Sequence, residues 1–519
     1  MEFLIHVTPE LLTISIVTLG ILWYLISSSS NGVPPLPPGP RGFPIVGYLP
    51  FLSHDLHKQF TEMAQTYGPI FKLRVGSKLH IMVNTLDLAR EVVRDQDEIF
   101  ANRKAPIAAA TSTYGGQDIV WSNNNSYWRN LRKIFVHEVL SNKNLDACSS
   151  YRRDEVRKTI KNVYGKIGTA IDINEISFST EANVLTSMIW ENTSVKGAND
   201  RDLAAEFQMI VAEMVELISQ HNVSDLFPSL ARFDLQGINR KMKQSLKKLD
   251  RIFTSIIDDR LEFNSKKKED AVEYEGKKDF LQILLDLKEE KKESSFNITQ
   301  IKALLVDIMV AGTETTTTLI EWAMAEIMQD GNIMKKVQEE LIQVVGLNNI
   351  VEESHLSKLE YLDAVIKETF RLHPVVPFLI PRTPSKTCIV GGYTIPKGCI
   401  VFLNTWAIHR DSKYWDNPLK FDPERFLKNK MDYKGNNVSF MPFGSGRRLC
   451  PGVPLAEKML MYVLASLLHS FEWRLPKGEQ HDLSEKFGIT LKKRKSLVAV
   501  PSQRMFEMAN LDRTKTDQA

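Results

Sequence analysis

One stretch constrains this chain more than any other: Phe443-Gly-Ser-Gly-Arg-Arg-Leu-Cys450-Pro-Gly452. It sets one cysteine in a tight, basic, glycine-rich turn. An apolar run with helical character, Val453 to Leu468, follows at once. Backbone N–H groups in a turn, a helix start and nearby cations each lower a cysteine pKa and favour the thiolate. A thiolate is a strong ligand for haem iron and pushes electron density toward bound oxygen. Gly444, Gly446 and Gly452 let the backbone bend around the sulfur, and Gly452 lets a flat macrocycle approach closely. Arg448 is placed to reach a haem propionate, and Phe443 to cover the sulfur and exclude water. Two other readings fit parts of the stretch. A cysteine beside arginines is also what an ordinary buried thiol looks like. A glycine-rich loop before a helix can cradle a phosphate. Here, however, the dinucleotide pattern lacks its third glycine, and no strand-rich unit precedes it.

Size and charge narrow the options. A chain of 519 residues, 43% of them hydrophobic, can bury a large core. The 66 basic and 63 acidic residues leave a net charge of +3, which argues against a nucleic-acid binder. Cys148, Cys388, Cys399 and Cys450 show no metal-like C-x-x-C pairing. So few cysteines point to a reducing compartment without a disulfide framework. No internal repeat is evident.

The uncharged run Leu11 to Ile26 approaches the roughly 17–25 residues that a membrane span needs. A cleaved signal peptide is the competing reading. Against it, no lysine or arginine precedes the run, and the first positive charges come after it, at Arg41 and Lys58. The positive-inside rule then places the body in the cytosol. Pro34-Pro35-Leu36-Pro37-Pro38-Gly39-Pro40 reads as a stiff spacer. Residues 70–85 alternate around a Gly-Ser turn and predict a β-hairpin. Residues 104–126 read as a long loop. Trp128 and Arg132 share one helix face. Thr299 to Met328 predicts a long helix with Thr299 as a plausible N-cap after Asn297. Within it, Ala311-Gly-Thr-Glu314-Thr315-Thr316 is a run of poor helix formers, a local weakness that often marks a functional site. Small Ala311 and Gly312 leave room for a diatomic ligand. The Thr315 hydroxyl can hydrogen-bond bound oxygen, and Glu314 can feed protons through water. Threonines bonding back to their own helix are the plainer alternative. Glu368 and Arg371 stand three apart on a helix, ordinarily a surface ion pair of little value. Residues 373–382 read as an apolar piece broken by prolines, and 386–404 as short strands around Gly391-Gly392. His409-Arg410-Asp411 lacks the other kinase motifs and is discarded as such. The sequons at Asn192, Asn222 and Asn297 should be unmodified in a cytosolic body.

The pattern Phe-x-x-Gly-x-Arg-x-Cys-x-Gly resembles the haem-binding signature of the cytochrome P450 superfamily. The proline hinge, Trp128-x-x-x-Arg132, the Ala311–Thr316 motif, Glu368-x-x-Arg371 and Pro423-Glu-Arg425-Phe426 follow in the family's order. Tyr114-Gly-Gly, Val351-Glu-Glu-Ser-His355 and Leu483-Ser-Glu-Lys-Phe-Gly488 look most like plant microsomal members, especially the 706 family and its relative the 76 family. The resemblance implies a mainly α fold with a small β-rich lobe. It also implies a membrane anchor over 1–28, a hinge over 29–42 and a haem-thiolate monooxygenase domain over 43–519.

The implied reaction uses O2 and two electrons to turn a C–H bond into an alcohol, with water as the other product. Haem b is the implied cofactor, with Cys450 as iron ligand. Trp128, Arg132, Arg382 and Arg448 are implied around the propionates, and Phe443, Gly444, Gly452, Ala311 and Gly312 around the ring. Thr315 and Glu314 would manage protons. Glu368, Arg371 and Arg425 would form a buried network shaping the cysteine-side face. Electrons would come from NADPH through a membrane reductase docking near Arg129, Lys133 and Lys458. Substrate contacts are expected from Ile119 and the residues before it, Phe207, Val310, Val376, Phe378 and Ile489. These are mostly apolar, so the substrate should be too. A sesquiterpene-type terpenoid is favoured and a flavonoid is the alternative. A haem-thiolate enzyme working without O2, or a haem sensor, stands further off. The implied location is the endoplasmic reticulum membrane, with the catalytic body cytosolic.

Overall fold

The computed structural model describes residues 34–190, 200–269, 278–290 and 296–504, with isolated positions before them. The anchor run and the Asn192 sequon lie outside these continuous segments. The elements that position the site begin with helix α1 (Leu56–Tyr67) and strands β1 (Ile70–Val75) and β2 (Lys78–Val83). Next come α2 (Ile107–Ser112), α3 (Ser126–Ile134), α4 (Ser149–Tyr164), α5 (Ile173–Trp190), α6 (Asp200–Ser219), α7 (Ile238–Glu269) and α8 (Ile298–Gln329). They are followed by α9 (Glu360–Leu372), β3 (Cys388–Val390), β4 (Tyr393–Ile395), β5 (Ile400–Leu403) and α10 (Val453–Ser470). Strands β6 (Phe471–Arg474), β7 (Glu485–Lys486), β8 (Lys492–Lys493) and β9 (Val498–Gln503) complete the set.

The β-hairpin forms as the alternation predicts. Ile70 pairs with Val83 and Val75 with Lys78 across a turn at Gly76. Strand β5 joins β2 in parallel, opposing Ile81 with Val401 and Val83 with Leu403. These four side chains belong to the core of the β-rich lobe. The proline segment is not a free spacer. Lys72 N–H donates to Pro38 at 2.8 Å and Thr394 N–H to Pro35 at 3.0 Å, which docks it on the same lobe. Residues 104–126 are not one loop, because α2 lies inside them. The Thr113-to-Gly116 turn follows it, with positive φ at Tyr114, Gly115 and Gly116.

Helix α8 is the axis of the larger lobe. Its 32 residues span about 48 Å at 1.5 Å per residue. Asn297, not Thr299, is its N-cap. The Asn297 side chain accepts from Gln300 N–H at 3.1 Å, and the Gln300 side chain accepts from Asn297 N–H at 2.9 Å. A helix apolar on most faces must be enclosed. This one is long and apolar enough to cross a membrane, yet 72% of its apolar window is buried inside the protein. It packs on α5, α10 and α9. Gly312 fixes the closest approach to α5, since a Cβ there would meet Leu185 at 2.8 Å. At the far end, Asn174 donates to Glu321 at 2.9 Å. The two contacts set α5 and α8 antiparallel.

Candidate active site

A cavity of about 340 Å³ opens between α8 and the Cys450 loop. The loop holds its shape through its own backbone. Gly444 has φ +77°, a conformation that glycine adopts at little cost, and Cys450 N–H donates to Phe443 C=O at 3.0 Å. Phe443 lines the cavity and packs on Phe370 and Tyr433, with ring centroids 4.9 and 5.3 Å away. A Cβ on Gly452 would lie 3.6 Å from the Cys450 sulfur. Burial pushes the Cys450 thiol up, opposed by the Gly452 N–H and by Arg132. The loop's donors and cations are present, but in the protein alone burial outweighs them. A bound metal cation would reverse that balance.

Behind the loop sits the Glu368 network. Arg371 grips Glu368 through two bonds of 2.7 Å, Arg425 adds a third at 3.1 Å, and Asp422 N–H a fourth at 2.8 Å. Arg371 also donates to the carbonyls of His409, Pro418 and Lys420. Glu368 and Arg371 are both 0% exposed. The three residues that the sequence spreads over 58 positions therefore meet as one buried, well-bonded unit.

Arginines crowd the adjoining edge. Arg448 donates to Ala101 at 2.7 Å, to Ile119 at 3.0 Å and to Ser122, and its guanidinium lies 4.1 Å from the Trp128 ring centroid. Arg132 donates to Leu449 C=O. Arg382 reaches Asp97 at 3.2 Å and Ser445 C=O at 2.7 Å. The sequence reading missed a fourth, Arg103, which donates to Ile380 and Pro381. Its Nε is buried without a partner among the described residues. Burial, then Arg382, Arg448 and Arg132, hold Arg103 well below its ordinary pKa. Burial, then Arg382 and Arg132, bring Arg448 down to about 9. Asp97 and Asp118 offset only part of this charge. Trp128 is less direct than expected. Its indole N–H is committed to Ile119 C=O at 2.9 Å, so it supports Arg448 rather than facing the cavity.

On the opposite wall, Ala311, Gly312, Glu314, Thr315 and Thr316 line the cavity. The Thr315 hydroxyl donates to Ala311 C=O at 2.6 Å, the helix back-bond that competes with a cavity role. The sequence reading also missed Lys492, which forms an ion pair with Glu314, and Thr490, 3.4 Å from the same oxygen. A third missed feature is a pair of acids. Asp307 accepts from Ile119 N–H at 2.8 Å, and Asp118 from Trp121 N–H at 3.0 Å. Burial pushes Asp118 up to about 6, and burial and Asp118 together push Asp307 well above the carboxylate range. The pair ties the residues after α2 to α8.

Four expected substrate contacts line the cavity: Ile119, Val310, Val376 and Ile489. Two do not. Phe207 is buried against Trp190 and Phe253, at 5.3 and 6.2 Å, because α6 turns that face to the core. Its later turn supplies Val215 and Ile218 instead. Phe378 packs on Phe60, Phe402 and Phe487. Leu379, at φ +52°, turns the chain so that Val375, Val376, Leu379 and Ile380 face the cavity.

The family profile described as Cytochrome P450 matches residues 37–500. This chain is a cytochrome P450. The P450 is 38% identical over 488 residues to geraniol 8-hydroxylase of Catharanthus roseus, covering 93% of this chain and 97% of that protein. It is 36% identical over 501 residues to (S)-N-methylcoclaurine 3'-hydroxylase isozyme 1 of Eschscholzia californica, covering 96% and 100%. Its fold matches a zebrafish cytochrome P450 solved with abiraterone, with a TM-score of 0.71 and 26% identity over 86% of this chain and 99% of that one. The protein is therefore a haem monooxygenase using NADPH-derived electrons delivered through a reductase. The residues present fit haem: a half-buried thiol, a glycine beside it where any side chain would start 3.6 Å from the sulfur, and a guanidinium cluster that two propionates would neutralise.

Proposed function

We propose that this P450 hydroxylates a small apolar terpenoid, of sesquiterpene type, in the endoplasmic reticulum membrane. The observation that carries the reading is the cavity wall. Ile119, Val215, Ile218, Val310, Val376 and Ile489 surround the space facing Ala311 and Thr315, so an apolar ligand loses little on entry. Cys450 would hold the iron through its sulfur. Arg103, Arg132, Arg382 and Arg448 would hold the propionates. Haem bound there supplies oxygen activation and insertion into a C–H bond. The protein's own part is positional. The aliphatic wall orients the substrate and excludes water. Thr315 can turn its hydroxyl from Ala311 C=O toward the cavity and hold a proton there. Glu314, buried beside Lys492, can pass protons inward.

The anchor over 1–28 and the hinge over 29–42 would hold the body at the membrane, facing NADPH–cytochrome P450 reductase. Arg129 and Lys133 are exposed on α3, and Lys458 lies 3.3 Å from Asp146. Such cations suit an acidic partner. The test uses the full chain in membranes with the reductase. The reduced, carbon monoxide-bound protein should show a strongly red-shifted Soret band, and geraniol and a sesquiterpene panel should yield products one oxygen atom heavier. A histidine-type band would remove the thiolate assignment. Hydroxylation of flavones or (S)-N-methylcoclaurine, with every terpenoid untouched, would remove the substrate assignment.

A further inference from the structure

Helix α5 brings a carboxyl to the cavity that the reaction described above does not use. Glu181 lines the cavity and is 2% exposed, and its Oε1 has no partner among the described residues. Burial alone holds it well above the carboxylate range, with no cation set against it among the described residues. Burial thus favours its protonated form. Asn174, Ser177, Glu181 and Leu185 share one face of α5, at helical spacing. That face meets α8, as the Asn174–Glu321 bond and the Leu185–Gly312 contact show. The antiparallel register sets Glu181 level with Thr315 and Thr316. Ser177 Oγ and Thr317 Oγ1 are also buried and unpartnered among the described residues. Buried polar atoms left without partners call for water. At the outer end, Glu321 accepts from Asn174 and from Leu497 N–H at 2.8 Å, with Lys493 and Asp172 nearby. Asp172 and Asn174 are half-exposed and Glu175 is exposed there.

We propose that Glu181 hands protons to the cavity along a water-lined seam between α5 and α8, entering at Asn174 and Glu321. The Glu181 O–H bond breaks, and its proton passes to a cavity water beside Thr315 and Thr316. The carboxylate then takes a proton from a seam water, which is resupplied from solvent about 10 Å away along α5. The net result is one proton moved inward, with Glu181 unchanged. Glu314 is a separate acid, held by Lys492 rather than by any group of α5.

The test uses the full-length haem protein in membranes with reductase, reading NADPH oxidation so that no substrate assignment is needed. Carbon monoxide photolysis infrared difference spectra of the wild type should carry the C=O stretch of a protonated carboxylic acid that shifts in D2O. Glu181→Gln should lose that band, slow NADPH oxidation roughly tenfold or more and raise its solvent-deuterium isotope effect. A band that survives, or a wild-type rate and isotope effect, overturns the proposal. Should Glu181→Gln fail to hold haem, Ser177→Ala and Thr317→Val decide the matter. Both leave the acid in place, and an unchanged isotope effect in both overturns the seam.

Discussion

The two walls of the cavity are built on opposite principles. The cysteine wall is locked. Glu368 receives four hydrogen bonds, and the loop closes on its own backbone. The α8 wall is loosely bonded. Thr315 turns its hydroxyl back on its own helix, and Thr317 of α8 and Ser177 and Glu181 of the adjoining α5 carry buried polar atoms without a partner among the described residues. A ligand to iron must keep one position, so its surroundings are over-determined. Groups that move protons must be able to change partner, so theirs are not.

The most damaging way to break the contrast is Glu368→Ala. It strands Arg371, 0% exposed, and leaves Arg425 without its carboxylate. Removing one partner from a buried charged group costs about 3–5 kcal/mol. The expected protein lacks stable haem, measured as the haem-to-protein ratio after purification. A full haem complement would show that the cysteine wall does not depend on this network. Next comes a pair of variants that separates core from cavity. Phe207→Ala should cost about 3–5 kcal/mol by cavity formation while leaving the product pattern unchanged. Val376→Phe should keep most of the stability and change which carbon is oxidised. The two are read by thermal melting and product analysis, and reversed outcomes would return Phe207 to the substrate wall.

The acid pair sharpens the contrast through pH. Asp118 is raised to about 6 by burial, above its ordinary value. Between those two values the native protein binds more protons than the unfolded chain. Stability is therefore fully present at low pH and falls as pH rises through about 6. Arg103, Arg448 and a hydrogen bond with Asp307 ease the charge on Asp118, while Asp118 opposes the charge on Asp307. Asp118→Asn should flatten the dependence of melting temperature on pH between about 4 and 6, an effect of roughly 3 kcal/mol at most. A wild-type slope in the variant would mean that Asp118 is not the group that titrates there.

The cysteine wall was largely legible in the sequence because its parts are local. A ten-residue loop carries the glycines, the arginine and the thiol together. Glu368 and Arg371 are three apart, and their meeting with Arg425 was expected only through the family resemblance. What was not legible depends on packing between distant segments. Arg103 looks like any loop cation until Arg382 and Arg448 arrive beside it. Glu181 sits in a helix with no clear apolar stripe, and only the register with α8 turns it inward. Phe207 and Phe378 failed for a matching reason. Each is apolar and near the right place, but a turn of helix or one positive-φ residue decides which neighbour faces the ligand.

The smallest expected effect lies at Lys492, and it asks how loose the α8 wall is. The ammonium is 40% exposed while Glu314 is mostly enclosed, so water screens part of their attraction. An ion pair with one exposed partner is worth about 0–1 kcal/mol. Lys492→Met keeps the length of the side chain and removes the charge. NADPH oxidation by the reconstituted enzyme should then change by no more than about fivefold, the factor that 1 kcal/mol sets. Glu314→Gln removes the acid itself and should cost far more. In the double variant, Lys492→Met should add nothing, because its only proposed route to the reaction runs through Glu314. A Lys492→Met loss as large as that of Glu314→Gln would mean that the pair is a fixed structural bond. The α8 wall would then be locked like the cysteine wall, and the contrast between the two would fail.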